Sequence, residues 1–107
     1  MRFATTASFD NDYRRLKPEH KQQFRRVVAD KFVLACDEWA RRAEAGESFV
    51  WPASLRVAEL VGANGIREMT WSFASPDGRA TFQFVTRDGQ WLCLWRRVGD
   101  HSVYRKP

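Results

Sequence analysis

Three strand-like runs, separated by turn sequences, occupy the second half of the chain and limit what it can fold into. The runs are IREMTWSF (66–73), RATFQFV (79–85) and QWLCLWRRV (90–98). SPDG (75–78) and RDG (87–89) stand between them and contain the glycine, proline and aspartate residues that hairpin turns favour. Because strands joined by hairpins pair antiparallel, these runs predict an antiparallel sheet.

Alternation within the first two runs predicts which side chains share a face of that sheet. One face is apolar and consists of Met69, Trp71, Phe73, Phe82 and Phe84. The other is polar and consists of Glu68, Thr70, Ser72, Arg79, Thr81 and Gln83. The last run is apolar on both sides at 91–95, which is typical of a central strand. The C-terminal residues should therefore leave from the middle of the sheet.

The first half of the chain predicts two helices. A short first helix lies within residues 8–20, with Asp10 as its N-cap, and it must break before Pro18. The second helix should begin at Pro18 and run to about Ala45, where Gly46 offers a stop.

Apolar side chains recur along the second helix at spacings of three and four residues, which places them on one face. They are Phe24, Val28, Phe32, Ala35 and Trp39. Residues 1–8 have some strand character. The prediction is one α+β domain over residues 1–107, in which two N-terminal helices pack on one face of a small twisted, mainly antiparallel β-sheet.

The distribution of charge and the two cysteines limit which binding partners and which cellular compartment we expect. The formal net charge is +5. Residues 96–107 contain four basic side chains and one acidic side chain, that of Asp100. Such a cluster favours nucleic acid, an acidic protein or an anionic membrane surface, and the alternative is a solubilising surface. The chain contains no run apolar enough for a bilayer span or a signal peptide. Cys36 and Cys93 lack metal-ligand spacing, which indicates buried thiols in a reducing compartment. We therefore expect a cytoplasmic protein.

Several short motifs match those of a known protein family in their order and spacing. They are GIREM (65–69), the arginine that opens a hairpin strand at Arg79, and VGDH (98–101) followed by Tyr104. With two N-terminal helices and an antiparallel sheet, the chain resembles the RelE/ParE superfamily of bacterial toxin–antitoxin toxins, and most of all its RelE and YoeB-like branch. The resemblance covers nearly the whole chain.

This resemblance implies a small basic endoribonuclease that cleaves messenger RNA in the ribosomal A site and is silenced by a co-expressed antitoxin. Two departures from the family pattern stand out. PASLR (52–56) replaces a Pro-Glu-Pro-Leu-Lys segment whose glutamate is a proposed base, and EMT (68–70) replaces Glu-Leu-Arg. The chain has no metal-ligand spacing around its histidines or carboxylates, so we expect neither a metal nor another cofactor.

Metal-free RNA cleavage requires proton transfer and balancing of the negative phosphorane, and four residues are candidates for these roles. The predicted catalytic residues are Arg79, His101, Tyr104 and Glu68. Histidine carries protons near neutral pH, and arginine holds phosphate oxygens with a fork of donors. His101 could instead be structural, Tyr104 could cap the core, and Glu68 could only pair with an arginine.

Other cations are predicted to contact the RNA backbone without sequence preference. They are Arg56, Arg67, Arg96, Arg97, Arg105 and Lys106. Arg67 alternates onto the side of Met69 and Trp71, which argues against a catalytic position. Two other functions remain open: a non-catalytic, ParE-like inhibitor of DNA gyrase, and a plain RNA- or ribosome-binding module.

Overall fold

The computed structural model describes residues 1–71, 78–100 and 106–107, and within these ranges five strands form one sheet. The strands are β1 (Arg2–Thr5), β2 (Ala58–Glu59), β3 (Arg67–Trp71), β4 (Gly78–Arg87) and β5 (Gln90–Gly99). Their order across the sheet is β1-β5-β4-β3-β2. Only the β1–β5 pair is parallel, so the sheet is mixed but mainly antiparallel, as predicted.

Two helices precede most of the sheet in the chain. The first, α1, spans Ala7–Arg15. The second, α2, begins as Pro18–Val27, passes through one π-helical turn at Val28–Phe32 and continues as Val33–Glu44. Both pack against the same face of the sheet, which confirms the predicted α+β architecture with two N-terminal helices.

The predicted N-cap at Asp10 is wrong. Helix α1 begins earlier, because Thr6 is extended and its hydroxyl accepts a hydrogen bond from the Phe9 amide at 3.0 Å. Asp10 instead lies in the first turn, where a negative charge suits the positive end of the helix. The predicted stop of α2 is confirmed, because Gly46 takes a left-handed φ of 70° just beyond the helix.

The π-helical turn explains how α2 keeps its apolar face on the sheet. Phe24, Val28 and Phe32 are spaced by four residues each, more than the 3.6 of a regular turn. A π turn accommodates an additional residue and so compensates for that drift. Phe24 and Phe32 are both buried, with ring centroids 5.2 and 4.7 Å from that of Trp95.

The core lies between the helices and the sheet and is rich in aromatic side chains. Trp95 of β5 is within 6.0 Å, centroid to centroid, of Phe9, Phe24, Phe32 and Phe82. Burial of such large rings is the main source of stability in a domain of this size. Cys36 and Cys93 are buried free thiols within this core, and desolvation raises the pKa of Cys93.

The strand predictions are confirmed over the described residues. The turn between β4 and β5 has positive φ at Asp88 and Gly89, as a two-residue hairpin turn requires. β5 is an interior strand, with β1 and β4 as its neighbours, and the middle strand of the five is β4. The short edge strand β2 was not predicted, and the turn predicted at 75–78 lies almost wholly outside the described residues.

None of the helices in the described ranges has the length and apolar character that crossing a membrane requires.

Candidate functional site

The face of the sheet that points away from the helices, here called the open face, gathers most of the predicted polar residues. Cross-strand partners project to the same side of a sheet. One row of partners consists of Glu68, Thr81 and Arg97, and the next consists of Thr70, Arg79 and Gly99. The predicted polar residues of β3 and β4 therefore share one face, which β5 extends, and two of them, Thr70 and Thr81, are buried.

A β-bulge brings two successive arginines of β5 toward this face. Thr81 pairs with Arg97 but Phe82 pairs with Trp95, so Arg96 is the additional residue. Trp95 and Val98 are both buried in the core although they are three positions apart. A regular strand would send residues three apart to opposite faces. The bulge therefore allows Arg96 and Arg97 to project together. Its signal in the sequence is the break in the apolar alternation between Trp95 and Val98.

Arg97 is fixed by an aspartate from α1. Its Nε lies 2.6 Å from Asp12 Oδ2 and its Nη2 lies 3.1 Å from Asp12 Oδ1. Asp12 Oδ2 also accepts from the Val98 amide at 3.2 Å. The hydrogen bond to Asp12 raises the pKa of Arg97. Asp12, which sequence reasoning did not single out, therefore compensates the Arg97 charge and joins α1 to the end of β5.

Arg96 is held by two acceptors from different parts of the chain. Its Nε donates to the oxygen of Pro107 at 3.0 Å, and its Nη1 donates to Gln83 Oε1 at 2.5 Å. Among the residues the structure describes, no aspartate or glutamate side chain contacts Arg96.

Lys106 and Pro107, here called the 106–107 segment, return to the open face. Thr81 Oγ1 donates to the Pro107 oxygen at 3.1 Å, and Arg97 Nη1 donates to the Lys106 oxygen at 3.1 Å. Thr81 is fully buried. Hydrogen bonds to the sheet therefore hold these two residues in place.

A groove of about 400 Å³ adjoins this contact. It is lined by Thr6, Ser8, Ile66, Arg96, Arg97, Lys106 and Pro107. The first turn of α1 therefore meets the cationic part of the open face. This combination of basic side chains and helix N-terminus favours an anion.

Glu68 and Arg79 lie on neighbouring strands of the open face. Their cross-strand partners place them on a diagonal, at a typical separation of about 7–8 Å. Glu68 Oε2 is buried and has no hydrogen-bond partner among the described residues. Arg79 Nη1 donates to the Gly78 carbonyl at 3.3 Å. A carboxylate and a guanidinium thus share one face of the sheet near the start of β4.

Three of the predicted site residues cannot be placed beside them. His101, Tyr104 and Arg105 lie outside the described residues. The last described residue before them is Asp100, which follows Gly99, the strand partner of Arg79. The roles of His101, Tyr104 and Arg105 stay predictions.

Arg67 lies on the other side of the sheet from this group, and Arg56 lies outside the strands that carry it. The Arg67 guanidinium carbon is 6.0 Å from the Trp39 ring centroid and 5.7 Å from that of Phe84, and Arg67 also pairs with Glu59 at 3.3 Å. It therefore lies on the helix side, as the alternation predicted. Arg56 is exposed just after the short 3₁₀ turn, with a positive φ of 46°. An RNA contact by either residue stays a prediction.

Within the described ranges, no group of three or more histidine, cysteine or acidic side chains could hold a metal ion. No protein-family model, curated protein or solved structure matches this chain.

Proposed function

We propose that this protein is a metal-independent endoribonuclease that cleaves messenger RNA, as the RelE-like toxin of a type II toxin–antitoxin system. The observation that carries the proposal is the open face, where Arg79, Arg96 and Glu68 lie together beside a cationic groove. The motif order that resembles the RelE and YoeB-like branch supplies the identity of the reaction.

The proposed reaction uses the RNA's own 2′-hydroxyl as nucleophile. A base, Glu68 or His101, removes the hydroxyl proton, and O2′ forms a bond to phosphorus while the bond from phosphorus to O5′ breaks. His101 or Tyr104 supplies a proton to the departing O5′. Arg79 stabilises the negative phosphorane with its guanidinium. The products are a 2′,3′-cyclic phosphate and a 5′-hydroxyl.

The remaining cations divide into those that keep their predicted role in this proposal and those whose contacts argue against it. Arg56, Arg96, Arg105 and Lys106 are assigned to the RNA or ribosomal backbone. Arg97 and Arg67 are less suited to that task. Arg97 is paired with Asp12, and Arg67 packs against aromatic rings on the helix side.

The proposal includes a protein partner, an antitoxin that covers the toxin. An apolar groove of about 590 Å³ between α1 and α2 supports this. Its apolar lining includes Phe9, Tyr13, Phe24 and Trp95, and its charged lining residues are Arg25 and Asp10. An apolar helix that carries carboxylates would complement both features. Activity on ribosome-bound messenger RNA places the protein in the cytoplasm.

Mapping the ends of cleaved transcripts tests the reaction. Cleavage is expected to survive EDTA in a metal-free reaction with RNA alone, or to need magnesium only where ribosomes require it. One fragment should carry a 2′,3′-cyclic phosphate and the other a 5′-hydroxyl. A 2′-deoxy nucleotide at the scissile position should prevent cleavage, and His101→Ala should lower kcat with little change in affinity.

Fragments with 5′-phosphates, or cleavage of the deoxy-substituted strand, would contradict this mechanism. RNA that binds in a salt-dependent manner but stays intact would favour the plain binding module.

A further inference from the structure

A pocket of about 250 Å³ lies between the C-terminal end of α2 and strands β2 and β3. Three aromatic rings, two carboxylates and one guanidinium contribute to its lining, and they are those of Trp39, Phe49, Trp51, Glu47, Glu59 and Arg67. Among the described residues, this aromatic pocket shares no lining side chain with the cationic groove or with the apolar groove between α1 and α2. It is therefore separate from both surfaces to which the proposed function assigns a ligand.

The part of the chain around the aromatic pocket carries a charge opposite to that of the whole protein. Residues 37–59 contain five acidic and three basic side chains, although the full sequence has a net charge of +5. A cationic ligand is repelled by the basic open face and attracted to this acidic stretch. Charge and aromatic lining together therefore favour a cation in the aromatic pocket.

The pocket already binds one guanidinium from within the chain. The Arg67 guanidinium carbon lies 6.0 Å from the Trp39 ring centroid and 5.7 Å from that of Phe84, and these two rings stack at 3.8 Å. Arg67 also pairs with Glu59 at 3.3 Å, which compensates its charge. Aromatic faces and a carboxylate thus stabilise a guanidinium at this place.

A second set of rings and a second carboxylate line the pocket beside Arg67. The Phe49 and Trp51 rings are nearly perpendicular, at 84°, with their centroids 5.0 Å apart. Glu47 Oε2 lies 3.9 Å from Arg42 Nη1, which is too far for a hydrogen bond, and Arg42 itself donates to Glu38 at 2.8 Å. Among the described residues, none donates a hydrogen bond to the Glu47 carboxylate. Glu47 can therefore accept from a ligand.

We propose that the aromatic pocket binds the guanidinium of an arginine side chain from a protein partner. The guanidinium packs against Phe49 and Trp51 and donates to Glu47, because its planar fork suits both a ring face and a carboxylate. The pocket is smaller than the range of about 300–1,000 Å³ that drug-sized ligands fill, so it suits the end of one side chain. Its lining cation, Arg67, already pairs with Glu59, so the carboxylate of a free amino acid gains no partner there. The inference does not rest on the proposed ribonuclease activity.

Titration of the full chain with small probes, followed by nuclear magnetic resonance at constant ionic strength, tests the ligand class. The probes are Nα-acetyl-arginine methylamide and its citrulline counterpart, which has nearly the same shape but no charge. The arginine probe is expected to shift the indole N–H resonances of Trp39 and Trp51 and to leave those of the core residues Trp71 and Trp95 in place. The citrulline probe should bind at least about fivefold more weakly. Equal affinities, or equal shifts at all four indoles, would overturn the proposal.

Variants of the lining test the assigned contacts. Glu47→Gln should weaken binding of the arginine probe about two- to fivefold, whereas Glu44→Gln, at an exposed position near the end of α2 and outside the pocket lining, should leave it unchanged. Phe49→Leu removes a ring but keeps an apolar side chain, and should also weaken binding about two- to fivefold. Unchanged Trp71 and Trp95 resonances verify the fold of each variant. Equal effects of Glu47→Gln and Glu44→Gln would mean that only diffuse charge acts, and would overturn the site.

Two further probes separate the possible sources of the cation. Free L-arginine should bind no more tightly than the blocked probe, and tenfold tighter binding would overturn the assignment to a protein partner. Nα-acetyl-lysine methylamide should bind more weakly than the arginine probe, and equal binding would overturn the preference for a guanidinium. Binding of the arginine probe without any RNA cleavage would support the site and contradict only the endoribonuclease. RNA cleavage without binding of the probe would do the reverse.

Discussion

At the scale of single residues, the cations of the open face differ in what surrounds them. Arg79 is half-buried on β4, next to the strand β3 that carries Glu68, whereas the Lys106 side chain is exposed. A half-buried guanidinium has less freedom to move and can be aimed at one developing charge. An exposed ammonium mainly attracts the RNA backbone. The two side chains should therefore differ in the kinetic constant that they affect.

Arg79→Ala should lower kcat by about a hundred- to a thousandfold with little change in affinity, because a stabiliser of the phosphorane is lost. Lys106→Ala should leave kcat near its original value, weaken RNA or ribosome binding, and reduce the salt slope by about one. Arg105→Ala is expected to behave as Lys106→Ala does. Single-turnover cleavage and binding titrations at several salt concentrations measure both constants. Small and equal effects from all three would show that the basic surface is diffuse.

At the scale of elements, the joint between α1 and β5 depends on Asp12. Its carboxylate receives three hydrogen bonds, two from Arg97 and one from the Val98 amide. The Asp12 side chain is 11% exposed, so water cannot readily replace these partners. The helix is thereby held against the strand that carries Arg96 and Arg97.

Asp12→Ala should therefore lower the free energy of unfolding by about 1–3 kcal/mol, since it leaves Arg97 and an amide without their acceptor. Asp10→Ala is the matched control, because it removes a carboxylate from the exposed side of the same helix. The control should cost less than about 1 kcal/mol, through loss of a favourable helix-dipole interaction. Urea unfolding measures both values. Equal losses would mean that Asp12 contributes only helix-dipole energy.

The bulge in β5 is the second determinant at this scale. It changes the phase of the strand between Trp95 and Val98 and so keeps both residues in the core. The same change lets Arg96 and Arg97 contact the 106–107 segment together. One local irregularity thus serves both the apolar core and the cationic surface.

At the scale of the whole molecule, the two sides of the sheet offer different surfaces. The helix side leaves an apolar groove between α1 and α2, with a volume of about 590 Å³. The open face carries the cationic groove of about 400 Å³. A protein partner and a nucleic acid could therefore bind on different sides of one small domain.

Expression of the chain alone is expected to arrest growth, and co-expression with its antitoxin should restore growth and yield a stable complex. Tyr13→Glu places a charge in the apolar groove and should weaken that complex, whereas Arg14→Glu on the exposed part of α1 is the control. Growth curves and co-purification provide the readouts. High yield without growth arrest, and without a co-purified partner, would contradict the toxin assignment.

Regular elements and the sides that they present could be predicted from the sequence by itself. The alternation in 66–71 and 79–85 predicts one apolar and one polar face, and the structure confirms both. The apolar run at 91–95 indicates a central strand, and Gly46 indicates the end of α2. These features follow from local periodicity and backbone preference, which depend on residues near in the chain.

Only the tertiary structure decided how distant segments complete the site. Asp12 meets Arg97 from 85 positions away, and the Pro107 oxygen meets Thr81 from 26 positions away. Periodicity carries no information about such pairs, since it does not specify which side chain of another element lies opposite. The bulge that brings Arg96 beside Arg97 likewise depends on pairing with β4 and on packing of Trp95 against the helices. The sequence therefore indicated which residues could form a cationic site, and the packing of α1, β4 and β5 determined which of them share one.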